Sequence, residues 1–165
     1  MKGSAWHKAW VRILLTGLTL AMMVLIFFFS TENAEKSDKT SGKITETVIQ
    51  VVYPEYTDFR TERKVSIYNH VQHIVRKSAH FTEYTLLGIL YRLTLFSWFG
   101  KRRWAAPAAW GIGTIYASTD ELHQMLIDGR AGQWQDVLLD SSGVLCGVLL
   151  TEVFLYLLHK RHIKS

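Results

Sequence analysis

Cysteine is almost missing from this chain: Cys146 is the only one in 165 residues, which excludes an intramolecular disulfide and a Cys-rich metal site. There is no HExxH pair, no glycine-rich phosphate loop and no G-x-S-x-G elbow, so the usual signatures of zinc hydrolysis, nucleotide binding and serine nucleophiles are lacking. Internal repeats and low-complexity tracts are lacking too, and the length suits a single domain. The first apolar stretch has no small-residue cleavage site. It closes on Phe27, Phe28 and Phe29 and runs into Ser30, Thr31 and Glu32, so it reads as a retained anchor and not as a signal peptide.

Composition is ordinary, with 48% apolar and 20% charged residues, and placement carries the information. From Val11 to Phe29 the only charge is Arg12, near the start. At about 1.5 Å per residue this stretch matches a hydrocarbon layer of about 30 Å. Ala79 to Phe99, Trp104 to Leu122 and Val137 to Leu158 have a similar length but carry polar residues gathered toward particular ends. A soluble bundle would instead spread polar residues along one side of each helix. The expected fold is all-α: an integral membrane four-helix bundle with an extracytoplasmic loop of short amphipathic helices.

Acidic residues are wholly absent from three segments. Lys2, Lys8 and Arg12, then Lys101, Arg102 and Arg103, then Lys160, Arg161 and Lys164 stand without a carboxylate among them. By the positive-inside tendency these segments, and so both termini, belong in the cytoplasm of a multi-pass plasma-membrane protein. The net charge of +5 then reflects orientation against anionic lipid, and the dispersed basic residues offer no footprint for nucleic acid. The chain divides into residues 1–30 (basic segment and first span), 31–78 (external loop), 79–158 (a three-helix region) and 159–165 (basic tail). In the loop, a Ser/Thr/Glu/Lys-rich stretch to Lys43 is expected to be mobile. Ile44 to Tyr53 and Val65 to Val75 are expected as two short surface helices broken by Pro54. Ala109, Gly113 and Ala117, with Gly143 and Gly147, set up close packing of the last two spans.

The topology brings chemistry to one side. Lys77, His80, Glu83 and Tyr84 lie at the outer end of span two, Asp120, Glu121, His123 and Gln124 at that of span three, and Asp136 and Asp140 open span four. Asp128, Arg130 and Gln133 lie in the connecting loop. Spacings of three and four give each helix end one polar stripe. Ionisable groups at a membrane helix are costly unless they face a bundle or a watered cavity, so one shared pocket is expected. His80, Glu83, Asp120, Glu121 and His123 are the candidates for acid/base work. The blander alternatives stay open: the histidines hydrogen-bonding across helices, and Asp120 and Asp136 capping helix ends or pairing with Arg130 or Lys77. A divalent cation has weak support, and no cofactor is identified. Ser78, Ser118, Ser141 and Ser142 supply hydroxyls with no base assigned. Arg92 and Glu152, both near the inner ends of their spans, are expected to form a structural ion pair.

At these positions the sequence resembles the VanZ family of bacterial membrane proteins: Lys77, His80, Phe81 and Tyr84; Asp120, Glu121, His123 and Gln124; Gly129 and Arg130; Asp136, Asp140, Gly143 and Gly147. Asp128 departs from the pattern, where proline would be expected before the Gly-Arg pair. The resemblance implies a four-span protein of the cell envelope and a role in resistance to teicoplanin-type glycopeptides. It implies no established reaction. The leading expectation is a protein whose external pocket engages an extracytoplasmic ligand, such as a lipid-linked wall precursor, a lipid headgroup or a lipoglycopeptide. Lys77 and Arg130 would meet its phosphate or carboxylate groups, and Glu83, Asp120, Glu121 and Asp136 would supply polarity or hold a cation. Tyr84, Gln124 and Asp140 complete the binding set. The competing reading is an intramembrane enzyme acting on such a lipid. A transporter is disfavoured because four spans show no inverted repeat.

Overall fold

The computed structural model describes residues 3–31, 34–127 and 133–164. Five helices account for almost all of them, and no strand occurs among the described residues: α1 (Gly3–Ser30), α2 (Ala34–Val52), α3 (Thr61–Phe99), α4 (Ala105–Gln124) and α5 (Trp134–Lys164), with a 3-10 turn at Tyr56–Asp58.

The breaks follow local chemistry. Pro54, which has no N–H to donate and restricts Tyr53 before it, stands just past the end of α2. α3 stops at Gly100, whose φ of 68° suits a residue without a Cβ, and whose N–H caps the Phe96 carbonyl at 2.8 Å. Two expectations for the external loop are corrected here. The stretch to Lys43 was expected to be mobile, yet α2 begins at Ala34, ten residues ahead of the expected Ile44. Val65 to Val75 is not a separate short helix either. No proline or glycine lies between Thr61 and Leu87, so the helix propagates without interruption into the segment expected as the second span. The product is a single rod of 39 residues, about 58 Å long at helical rise and well beyond a hydrocarbon layer of about 30 Å.

α3 and α5 form the centre, and α4 and α1 pack beside them. Their backbones touch because glycines stand at the crossing. A Cβ on Gly88 would come 2.3 Å from the Val144 carbonyl oxygen, one on Gly143 2.7 Å from that of Phe81, and one on Gly147 2.1 Å from that of Thr85. Ala109 and Ala117 of α4 are fully buried against the same core, and Gly113 receives the Val144 side chain. Small residues at four-residue spacing thus let the helix backbones come into direct contact. Tyr84, Leu87, Tyr91, Val144 and Val148 fill the space between, with Ile26 from α1.

α1 presents one narrow face inward, Thr19, Ile26 and Ser30, while Ile13, Leu20 and Phe28 are more than half exposed. Polar contacts fix its height: Arg12 Nε donates to the Ser97 carbonyl at 2.9 Å, Thr19 and Thr94 share a hydroxyl bond at 2.9 Å, and Tyr116 donates to the Met23 carbonyl at 2.6 Å. Lys8–Ser30 and Trp134–Arg161 are long and apolar enough to cross a membrane. The corresponding parts of α3 and α4 carry Arg92, Asp120 and Glu121, all buried, which lowers their hydropathy.

Candidate polar site at one end of the bundle

The antiparallel arrangement brings the C-terminal turn of α4, the N-terminal turn of α5 and the middle of α3 to one end of the bundle. The start of α1 and the 100–104 connection lie at the other end, as the Arg12 contact with Ser97 shows. At the polar end a cavity of about 250 Å³ opens. α3 lines it with His73, Arg76, Lys77 and His80, which fall at i, i+3, i+4 and i+7 on one helical stripe. α4 adds Glu121 and Gln124, and Gln133, Asp136, Leu139 and Asp140 come from the start of α5 and the residue before it.

The lining is graded. His73 is exposed and Arg76 and Lys77 are half-buried, whereas Glu121, Gln124 and Asp140 are buried. Lys77 Nζ pairs with Asp136 Oδ1. His80 Nδ1 lies 4.0 Å from Asp140 Oδ1, too far for a direct hydrogen bond. One Glu121 oxygen accepts the Gln133 backbone N–H at 2.7 Å and so ties α4 to the start of α5. Arg76 has no ion-pair partner among the described residues. Although exposed, the His73 imidazole is slightly desolvated, and this, then the charges of Lys77 and Arg76 and the neighbouring His70, holds it below its ordinary value of 6.5.

Behind the cavity sits a second polar layer. Tyr84 donates to Asp120 Oδ2 at 3.2 Å and Gln124 Nε2 to the same oxygen at 3.0 Å. Asp120 Oδ1, Asp140 Oδ1 and His123 Nε2 are buried with no hydrogen-bond partner. Such atoms are costly in an apolar surrounding. Of the two aspartates, Asp140 is the one on the cavity wall.

The structure therefore sorts the sequence candidates. Lys77, His80, Glu121, Gln124, Asp136 and Asp140 share the cavity. Asp120 and Tyr84 stand behind it as a hydrogen-bonded support, and Glu83, near enough to Asp120 to feel its charge, is also off the wall. His123 turns to α1 and stacks on Phe27 with ring centroids 4.8 Å apart. Arg130, with Asp128 and Gly129, lies outside the described residues. Ser141 is held by Thr114 and Trp110 between α4 and α5. Among the described residues, no three His, Cys, Asp or Glu side chains are grouped so as to hold a metal ion. Arg92 and Glu152 form an ion pair between α3 and α5. The sequence reading missed His73 and Arg76 as lining residues, although both continue the Lys77 and His80 stripe by one turn. Their signal was obscured by treating Val65 to Val75 as a separate helix.

The VanZ/LLP1 family model matches residues 15–155, a stretch that includes every lining residue of the cavity. No curated protein sequence and no solved structure matches the chain. With the family model covering nearly the whole fold, this chain belongs to the VanZ/LLP1 family.

Proposed function

We propose that this protein is a four-span protein of the bacterial plasma membrane whose cavity faces outward and engages an extracytoplasmic lipid or lipid-linked wall precursor, and that it contributes in this way to resistance to teicoplanin-type glycopeptides. Family membership and two apolar helices point to association with a membrane. The exposed apolar side chains of α1 and α5, including Phe28, Leu149, Leu150 and Phe154, are of the kind that lipid would cover. In this reading α3 and α4 also span, with their polar groups turned inward. The basic segments stay in the cytoplasm. The observation that carries the proposal is the convergence of six sequence-flagged polar side chains from three helices on one cavity, at the end of the bundle away from Arg12 and the 100–104 connection.

A second reading, an intramembrane enzyme, draws on one feature: the buried Asp140 beside His80 resembles an acid/base dyad that a bound substrate would tighten. Production of the protein in a susceptible bacterium, with its membrane level verified, should raise the teicoplanin concentration needed to stop growth. Replacing His80, Glu121 or Asp140 by its amide or by Gln should remove the gain without lowering that level. No gain from the wild-type protein overturns the resistance role. For the sidedness, Gln133→Cys in a Cys146→Ala background should react with an impermeant thiol reagent on intact cells, and Arg102→Cys only after permeabilisation. The reverse pattern overturns the outward cavity. Lipid extracts of cells with and without the protein separate the readings, since a modified lipid lost in His80→Gln cells favours the enzyme.

A further inference from the structure

Beside the polar cavity lies a second, mainly apolar groove of about 330 Å³, walled by Ile74, Ser78, Phe81 and Thr82 and sharing His73, Lys77 and Leu139 with the cavity. The two share this edge, so a molecule lying on His73 and Lys77 borders both. Their chemistries form a sequence. The groove accepts hydrocarbon, Arg76 beside the shared edge carries positive charge, and the far wall ends in buried acidic side chains.

We propose that cavity and groove form one bipartite site for a phospholipid with an amine-bearing headgroup of the phosphoethanolamine class. An acyl chain lies in the groove along Ile74 and Phe81, the phosphate meets Arg76 and His73, and the ammonium group reaches Asp140. Three observations support this order. Arg76 is a lining guanidinium with no ion-pair partner among the described residues, and a guanidinium fork suits phosphate oxygens. Asp140 is 1% exposed, lies on the cavity wall and keeps Oδ1 without a hydrogen bond. Lys77 is already paired with Asp136, so among the described lining residues Asp140 and Glu121 are the acidic side chains that no lysine or arginine pairs. A hydroxyl-bearing headgroup would only donate a hydrogen bond to that oxygen, whereas an ammonium also brings the positive charge that stabilises a carboxylate beside Glu121.

This proposal deepens the lipid-engaging reading above and names the lipid class, but its test is independent of which side the cavity faces. The full-length protein, purified in detergent, is titrated with phosphatidylethanolamine and with phosphatidylglycerol of identical acyl chains, and bound lipid is counted by native mass spectrometry. Phosphatidylethanolamine should bind at one per chain and about tenfold more tightly, the worth of one charge-assisted contact. Asp140→Asn should erase the preference, and Arg76→Gln should weaken both lipids. Ser78→Trp, which fills the groove from its exposed wall, should weaken lipid binding yet leave soluble phosphoethanolamine unaffected. Arg76 and Ser78 are not core residues, so those variants report even if Asp140→Asn does not fold. Equal binding of the two lipids by the wild-type protein overturns the headgroup assignment. Undiminished lipid binding by Ser78→Trp overturns the groove as the chain site. Loss of resistance in cells with lipid preference intact would instead sink the envelope role and leave this site standing.

Discussion

Lys77 of α3 and Asp136 of α5 are paired across the cavity, which takes both charges out of play and leaves the neighbouring Arg76 as the cation available to a ligand. Their side chains retain 27% and 30% exposure, so solvent screens the pair and its contribution to stability is small, about 1 kcal/mol or less. Asp136→Asn is therefore expected to lower the unfolding temperature only slightly. It should strengthen binding of dodecyl phosphate several-fold, because it frees a second cation beside Arg76. Thermal unfolding and a binding titration on the same preparation check both halves. A large loss of stability would make the pair a structural clasp between α3 and α5 and not a determinant of cavity charge.

The parts of this molecule legible in its sequence are those set by spacing along one helix. The stripe through Lys77 and His80, the Glu121 and Gln124 pair and the Asp136 to Asp140 step are local periodicities, and they predict the wall residues each helix supplies. Which groups stand on the wall and which stand behind it is not local. Asp120 and Glu121 are adjacent in sequence, yet Glu121 lines the cavity while Asp120 is engaged by Tyr84 and Gln124. That difference follows from the rotation of α4 about its axis, set by Gly113 against the Val144 side chain and by the buried Ala109 and Ala117. The merger of two expected helices into α3 was misread for a related reason: a hydropathy boundary near residue 78 is not a boundary of backbone hydrogen bonding.

His73 gives the site a pH dependence whose sign can be worked out. Its folded value lies below the ordinary 6.5 because slight desolvation and then the charges of Lys77 and Arg76, with His70, oppose the imidazolium. As pH falls from 6.5 through that lower value, the unfolded chain binds a proton that the folded chain resists, so stability is lost. Above 6.5 both states are neutral at this position and nothing changes. The unfolding temperature of His73→Gln should track the wild type above that pH and fall less steeply below it. Arg76→Gln, by removing one opposing charge, should flatten the wild-type slope in the same direction. Parallel curves for wild type and His73→Gln from pH 8 to pH 5 would show that His73 makes no such contribution.

Glycine substitutions separate crossing contacts from helix propensity. A methyl group at Gly147 would lie 2.1 Å from the Thr85 carbonyl oxygen, and backbone cannot swing aside as a side chain can. Gly111 on α4 has nothing within 4 Å of the same added atom. Gly147→Ala is expected to cost about 1–3 kcal/mol or more through forced separation of α3 and α5. Gly111→Ala should be neutral or slightly stabilising, since alanine is the better helix former by about 1 kcal/mol. Unfolding of both variants in identical nanodiscs provides the comparison, and equal effects would mean that the α3–α5 crossing is not held at backbone contact.

Arg92 and Glu152 pose a different energetic question, because their environments are unequal. The Arg92 side chain is 3% exposed and that of Glu152 is 42% exposed, so the arginine bears most of the burial cost and one of its terminal nitrogens has no hydrogen-bond partner. Removing the carboxylate alone strands a buried guanidinium, the most expensive outcome in a low-dielectric setting. Removing both charges leaves only a packing change. Glu152→Gln should therefore destabilise more than the double variant Arg92→Met with Glu152→Gln, and Arg92→Met alone should fall between them or near the double. Such an inversion, with two substitutions milder than one, is read directly from unfolding temperatures in a double-mutant cycle. If the double variant costs as much as the two single variants together, the two side chains are not coupled, and a stranded buried guanidinium is not what makes Glu152→Gln costly.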